Sequence, residues 1–233
     1  MISATAATHV GAVRRHNEDA VVSRADLGLW AVADGAGGHG AGDEASAAIA
    51  EALNAIPPGL AAAEMLAQLR LRIAGVHGAL QAMAAARGGE SLIASTIVAL
   101  LLRGEHFAAL WAGDSRLYLL RGGALSRITR DHSVVQEMVD AGTLAPEDAE
   151  RHPHANIITR AVGQEGALEL DKIAGRLHAG DSFLLCSDGL FKDMDEARIA
   201  ALLAQGADAQ AMVEAAVAAG GRDNISAVVL RIS

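Results

Sequence analysis

The chain has 233 residues, a net charge of -9, 52% hydrophobic but only 3% aromatic content, and one cysteine. That length suits one large domain or two small ones, with a core that Ala, Leu, Val and Ile must fill. An acidic balance without a basic stripe argues against nucleic acid or an anionic membrane as a partner, and the lone Cys186 excludes a disulfide framework or a cysteine-based zinc site. The opening MISATAATHVGAV lacks the charged start and apolar run of a signal peptide. The longest apolar run, 97–102, is far too short to span a bilayer, so the expectation is a soluble, cytoplasmic chain.

In chain order, the first informative stretch is VADGAGGHGAGDEAS (32–46), a strand-like run ending at Asp34, then glycines, then a helical pattern. A Gly-rich turn ahead of a helix can cradle phosphate on its N–H groups. Alternatively Asp34 holds a metal and the glycines clear space around it, or the segment is an ordinary strand–turn–helix joint. Neither G-K-[ST] nor G-x-G-x-x-G is present, which weakens the nucleotide reading. A helix is expected over 44–56, broken by Pro57-Pro58. A second follows, in which Met65, Leu69, Ile73, Val76, Leu80 and Met83 form a buried stripe at helical spacing.

The middle reads as consecutive strands, STIVALLL, HFAALWAG and SRLYLLRGGALSRIT, with Gly122-Gly123 as a two-residue hairpin. Hairpin-linked strands imply antiparallel sheet. Short helices are expected at 133–140 and 146–151, strands near 168–177 and 182–187, helices near 196–205 and 208–219, and a last strand at 225–232. The fold class expected is α+β, with helices covering sheets.

Acidic residues recur where strand-like runs meet turns: Glu18 and Asp19 in RRHNEDA, Asp114 in LWAGDSRLYLL, Asp188 in FLLCSDGL and Asp223 in GGRDNISAVVL. Singly, each is a favoured turn residue. Gathered at one sheet edge with Asp34, they would repel unless cations were present. Oxygen-only ligands point to Mg²⁺ or Mn²⁺. Two such ions sharing a carboxylate would sit roughly 3.5–4 Å apart and could bind a hydroxide, machinery suited to a phosphate ester. Asp34 is then the expected bridge, with the Gly35 carbonyl free to face a metal.

The ordered set R-x-x-N-E-D, V-A-D-G-x-G-G-H-x-x-G-x-x-A-S, G-D-S-R, S-D-G-L and D-N resembles the metal-dependent Ser/Thr protein phosphatases of the type 2C (PPM) family in their compact bacterial form. The resemblance implies a four-layer α-β-β-α sandwich with two central antiparallel sheets, one domain over 1–233 and a flap-like segment about 131–166. It implies two core Mn²⁺ or Mg²⁺ ions bridged by Asp34 with the Gly35 carbonyl. Asp188 and Asp223 would hold the first ion, and Glu18 and Asp19 the second, directly or through water. Asp114 would hold a weaker third ion with the backbone carbonyl of Asn156. Arg14 falls at the position of the phosphate-binding arginine, where a guanidinium can grip two phosphate oxygens.

In relatives a His directly after the D-G pair is assigned as proton donor; Ala36 fills that slot, which leaves His39 as the nearest candidate, the alternative being that His39 only orders the turn. Arg116 reads as support for Asp114 or for the strand pair, His132 as a structural or flap residue, His152 and His154 as flap residues without zinc-site spacing, and Cys186 as core. The implied activity is hydrolysis of phosphoserine and phosphothreonine on proteins by a metal-activated water, in a monomer opposing a bacterial Ser/Thr kinase. The rivals are a catalytically silent sensor or scaffold and a phosphatase of a small metabolite.

Overall fold

The central strands of this chain are apolar on both faces, although they are antiparallel, because each sheet is covered on both sides. The computed structural model describes residues 1–37, 41–88 and 92–233. In chain order these form β1 (Ile2–His9), β2 (Asp19–Arg24), β3 (Leu29–Gly37), α1 (Ala41–Asn54), α2 (Ala62–Ala86), β4 (Ile93–Ser95), β5 (Ile97–Arg103) and β6 (His106–Ala112). There follow β7 (Arg116–Arg121), β8 (Ala124–Arg127), α3 (Val134–Asp140), β9 (Asp171–Arg176), β10 (Ser182–Cys186), α4 (Asp188–Phe191), α5 (Glu196–Ala204), α6 (Ala209–Ala218) and β11 (Ile225–Ile232). One sheet has the order β1-β11-β10-β7-β8, the other β2-β3-β5-β6-β9 with β4 paired to the end of β3. Every named pairing is antiparallel.

The period-two alternation of a strand sorts the apolar residues into three layers. In β3, Leu29, Ala31 and Ala33 face α1 and α2, where Ile49, Leu53, Leu69 and Ile73 meet them. The intervening Trp30 and Val32 face the other sheet and pack in a layer with Leu117, Leu119, Phe183 and Val228. Phe107 and Phe183 meet edge-on across the two sheets, with ring centroids 5.2 Å apart. On the far side Leu184, Cys186 and Val229 are covered by Leu203 of α5 and by Met212 and Val213 of α6. The result is the expected four-layer α-β-β-α sandwich.

Gly122 and Gly123 have φ of 57° and 83°, the left-handed pair that a two-residue hairpin between β7 and β8 requires. The segment 146–151 is a 3-10 helix, and α5 and α6 are capped by Asp195 and Asp208, whose carboxylates accept from Arg198 and Ala211 N–H groups. Three features differ from the sequence expectation. The third strand does not end at Asp34; it runs on to Gly37, because Gly35, Ala36 and Gly37 pair with Ser95, Ala94 and Ile93 of β4. β6 and β7 do not form a hairpin, since the turn 113–115 carries the chain from one sheet to the other. β1 and β2 carry few large apolar residues and gave no periodic signal. Among the described residues no helix is long and apolar enough to cross a membrane.

Buried Asp181 just before β10 accepts two hydrogen bonds from the Arg121 guanidinium at 2.7 Å each, and one from the His178 N–H at 2.8 Å. Burial pushes its carboxyl up, but these donors outweigh burial and hold it below the ordinary aspartate value. Asp181→Asn should cost about 1–3 kcal/mol of stability at neutral pH. A depressed carboxylate stabilises the fold above its unfolded pKa and loses that contribution as pH falls through the folded one. The gap between wild type and variant in urea denaturation should therefore close on acidification below about pH 4; a gap independent of pH would contradict the ion-pair origin.

Candidate metal centre

Backbone pairing brings the acidic residues to one end of the sandwich. Asp19 stands directly opposite Asp34 in the β2–β3 register, and opposed residues share a face with Cβ atoms about 4.5–5.5 Å apart. Asp188 opens α4 at the end of β10, and Asp223 lies two residues before β11, so both come from the other sheet. Asp114 sits in the turn where the chain changes sheets. The cluster thus straddles the seam between the two sheets.

Several hydrogen bonds fix that seam. The Ser187 hydroxyl donates to Asp19 Oδ2 at 2.7 Å and accepts from the Ser226 N–H at 2.9 Å, tying the sheets together. The Asn224 amide donates to the Val10 and His16 carbonyls at 2.9 Å each, while its Oδ1 accepts from the Glu18 N–H at 2.8 Å. One asparagine therefore holds the 10–18 loop against the start of β11. The Asp34 N–H donates to Thr96 Oγ1 at 3.1 Å, and the Asp34 carbonyl accepts from the Thr96 N–H and the Ser95 hydroxyl.

Two glycines permit the close approach. A Cβ on Gly35 would lie 2.0 Å from the Gly42 carbonyl oxygen and 2.7 Å from that of Glu18. A Cβ on Gly42 would lie 2.8 Å from Glu18 Oε2, so the first turn of α1 runs against the Glu18 carboxylate. The glycines thus admit neighbouring backbone, and β3 can keep its carboxylate pressed into the seam.

The electrostatics follow from this crowding. Burial pushes the Asp34 carboxyl well above the ordinary aspartate range, and Asp19, Asp188, Asp114 and Asp223 push it further. Burial also raises Asp19, helped by Asp188 and Asp223 and opposed by the nearby Ser226 and Ser187 hydroxyls. Asp114 is raised by burial, Asp188 and Asp131, and lowered by Lys192. Glu18 is raised by burial and by Asp43, against Arg14.

Protein cations answer part of this charge. Arg14 grips Asp223 through Nε and Nη2 at 2.8 and 2.9 Å, and the Lys192 ammonium pairs with Asp188. Asp19 Oδ1 is buried with no hydrogen-bond partner. A buried carboxylate oxygen without a donor, in an all-oxygen acidic cluster, fits a hard divalent cation. Among the described residues, no three His, Cys, Asp or Glu side chains are already grouped to grip an ion; Asp223 and Asp188 are turned onto Arg14 and Lys192 instead.

The remaining expected residues divide. Asn156 lies in an exposed turn beside Ala155, which lines a cavity of about 70 Å³ together with Asp114 and Lys192. His39 lies outside the described residues. Buried Arg116 supports neither Asp114 nor the metal ligands by direct contact; it pairs with Asp131 and with Glu150, both at 2.6 Å, and lies 3.5 Å over the Phe191 ring. His132 braces the Asp114 turn: its Nδ1 accepts from the Gly113 N–H at 3.2 Å and its own N–H donates to the Gly113 carbonyl at 3.0 Å. His152 and His154 meet edge-on, with ring centroids 5.2 Å apart, and burial pushes the Cys186 thiol up, as for a core residue. Sequence reasoning missed Lys192 and Asn224. The only signal for Lys192 was a lysine one helical turn after Asp188.

A family model described as protein phosphatase 2C matches residues 8–219. The chain belongs to the protein phosphatase 2C family. It is 38% identical over 223 residues to the serine/threonine protein phosphatase PstP of Mycobacterium tuberculosis, covering 94% of this chain and 43% of PstP, so it spans less than half of that relative. Among solved structures, it matches PppA of Pseudomonas aeruginosa, described as a key regulatory component of T6SS, with a TM-score of 0.90 and 42% identity over 99% of this chain and 97% of that one. The catalytic domain of PstP in complex with two manganese ions matches with a TM-score of 0.82 and 33% identity, over 100% of this chain and 99% of that domain.

Repulsion within the seam has a direct consequence for a 2C-family chain stripped of divalent ions by chelation. Asp34→Asn removes one of the crowded charges at constant shape and should raise the melting temperature, by roughly 2–4 °C for each kcal/mol relieved. A lower melting temperature than wild type in chelator would show that the Asp34 charge is already compensated by the protein.

Proposed function

We propose that this chain is a metal-dependent protein phosphatase that removes phosphate from phosphoserine and phosphothreonine on proteins, in opposition to a Ser/Thr kinase. The observation that carries the reading is the meeting of five aspartates from two sheets at one seam, in a chain of this family whose relative PstP was solved with two manganese ions. Asp34 would be shared between two ions, with the Gly35 carbonyl beside it. Asp188 and Asp223 would serve one ion, and Glu18 and Asp19 the other. Bound there, such ions would lower the pKa of a water enough for it to attack phosphorus and would offset the charge of the phosphoryl group.

The chain's own residues bind, orient and move protons around that chemistry. Arg14, more than half exposed and hinged on Asp223, can swing its fork from that carboxylate to two phosphoryl oxygens. Asn224 and Ser187 hold the loop and the second sheet so that the carboxylates keep their places. His39, five residues after Asp34, is the proposed donor of a proton to the departing serine or threonine oxygen. The segment 131–166 forms a flap at the Asp114 side, pinned by the Glu150–Arg116 pair. A protein substrate is favoured over a small metabolite because relatives such as PstP are serine/threonine protein phosphatases.

The test is hydrolysis of phosphoserine and phosphothreonine peptides with and without Mn²⁺. Turnover should require the ion, Asp34→Ala should lose more than about a hundredfold in kcat, and Arg14→Ala should raise KM while Mn²⁺ binding persists. Metal-independent turnover, or a metabolite preferred over peptides in kcat/KM, would overturn the reading.

A further inference from the structure

Among the described residues, Lys192 is the one cation that the carboxylate cluster holds from inside the protein rather than from a loop. α4 is a single turn, closed by the Lys192 N–H donating to the Asp188 carbonyl at 3.0 Å. That spacing returns the lysine side chain over residue 188, where its ammonium pairs with Asp188 Oδ2. The turn cannot drift. A Cβ on Gly189 would lie 2.1 Å from the Asn224 carbonyl oxygen, Leu190 and Phe191 are buried, and the Arg116 guanidinium sits on the Phe191 ring. Lys192 also lines the same cavity as Asp114.

We propose that the Lys192 ammonium is a fixed cation of this centre, occupying the Asp114 side of Asp188 so that divalent ions enter only where Asp188 faces Asp34, Asp19 and Asp223. This rests on the metal-centre reading above. It replaces the expectation of a weaker third ion at Asp114: the charge that such an ion would supply is already present, on a tether that cannot diffuse away. Lys192 is thus a positioning residue. It shares Asp188 with the adjacent ion and sets how many ions the centre holds, whatever the concentration of metal outside.

The probe is Mn²⁺ alone, counted per chain by equilibrium dialysis and elemental analysis. Wild type should bind two ions, and Asp114→Asn should also bind two, because no ion sits on Asp114. Lys192→Met, which keeps the length and removes the charge, should bind a third ion, and the double variant with Asp114→Asn should lose it again. Three ions in wild type falling to two in Asp114→Asn would overturn the proposal, and this arm does not depend on the stability of any Lys192 variant. Two ions in Lys192→Met would also overturn it while leaving the two-ion reading intact. No Mn²⁺ bound by wild type would sink both.

Discussion

Like charges buried beside one another repel, and at this end of the sandwich five aspartates are held together against that repulsion. The force that holds them is the packing of two sheets whose apolar faces interlock, with Trp30, Phe107 and Phe183 in the shared layer. Because β3 pairs with β2 on one side and with β4 and β5 on the other, Asp34 cannot move out without breaking a ladder. Ser187 and Asn224 then lock the second sheet and the 10–18 loop onto the same seam. The fold stores unfavourable electrostatic energy at one edge, and a bound cation would release it.

The protein answers this charge unequally. On the Asp223 side the counter-charge is Arg14, on an exposed loop with a long, movable side chain. On the Asp188 side it is Lys192, on a rigid turn packed between Asn224 and Arg116. A movable cation can be handed over to an incoming phosphate; a fixed one cannot. On the proposed function this asymmetry would give the two sides different work, substrate capture on one and charge balance on the other.

Much of this was legible in the sequence. The stripe from Met65 to Leu80, the Gly122-Gly123 hairpin and the strand Ile225–Ile232 stand where expected, because one buries a regular helical face, one supplies left-handed turn residues and one is an almost unbroken apolar run. The acidic residues were legible as a set, since an aspartate at the end of an apolar run is visible locally. What was not legible depends on tertiary pairing. β1 and β2 carry only Ile2, Val21 and Val22 as larger apolar residues, too few for a periodic pattern, and they take their places by pairing with the edges of β11 and β3. The crossing between sheets at 113–115 leaves no trace in a pattern that looks like one more hairpin. The engagement of Arg14 and Lys192 with Asp223 and Asp188 is a matter of three-dimensional neighbourhood, and Lys192 had no motif to announce it.

On the proposed function, Asp19, Asp34, Asp188 and Asp223 gather at the seam to hold metal. The most direct measurement is anomalous scattering at the manganese edge from crystals of this protein grown with Mn²⁺. Two strong peaks should flank the Asp34 carboxylate, with Asp223 turned from Arg14 toward one of them and Asp188 shared between that ion and Lys192. No peak at Asp34, or manganese bound only at other acidic sites, would contradict it.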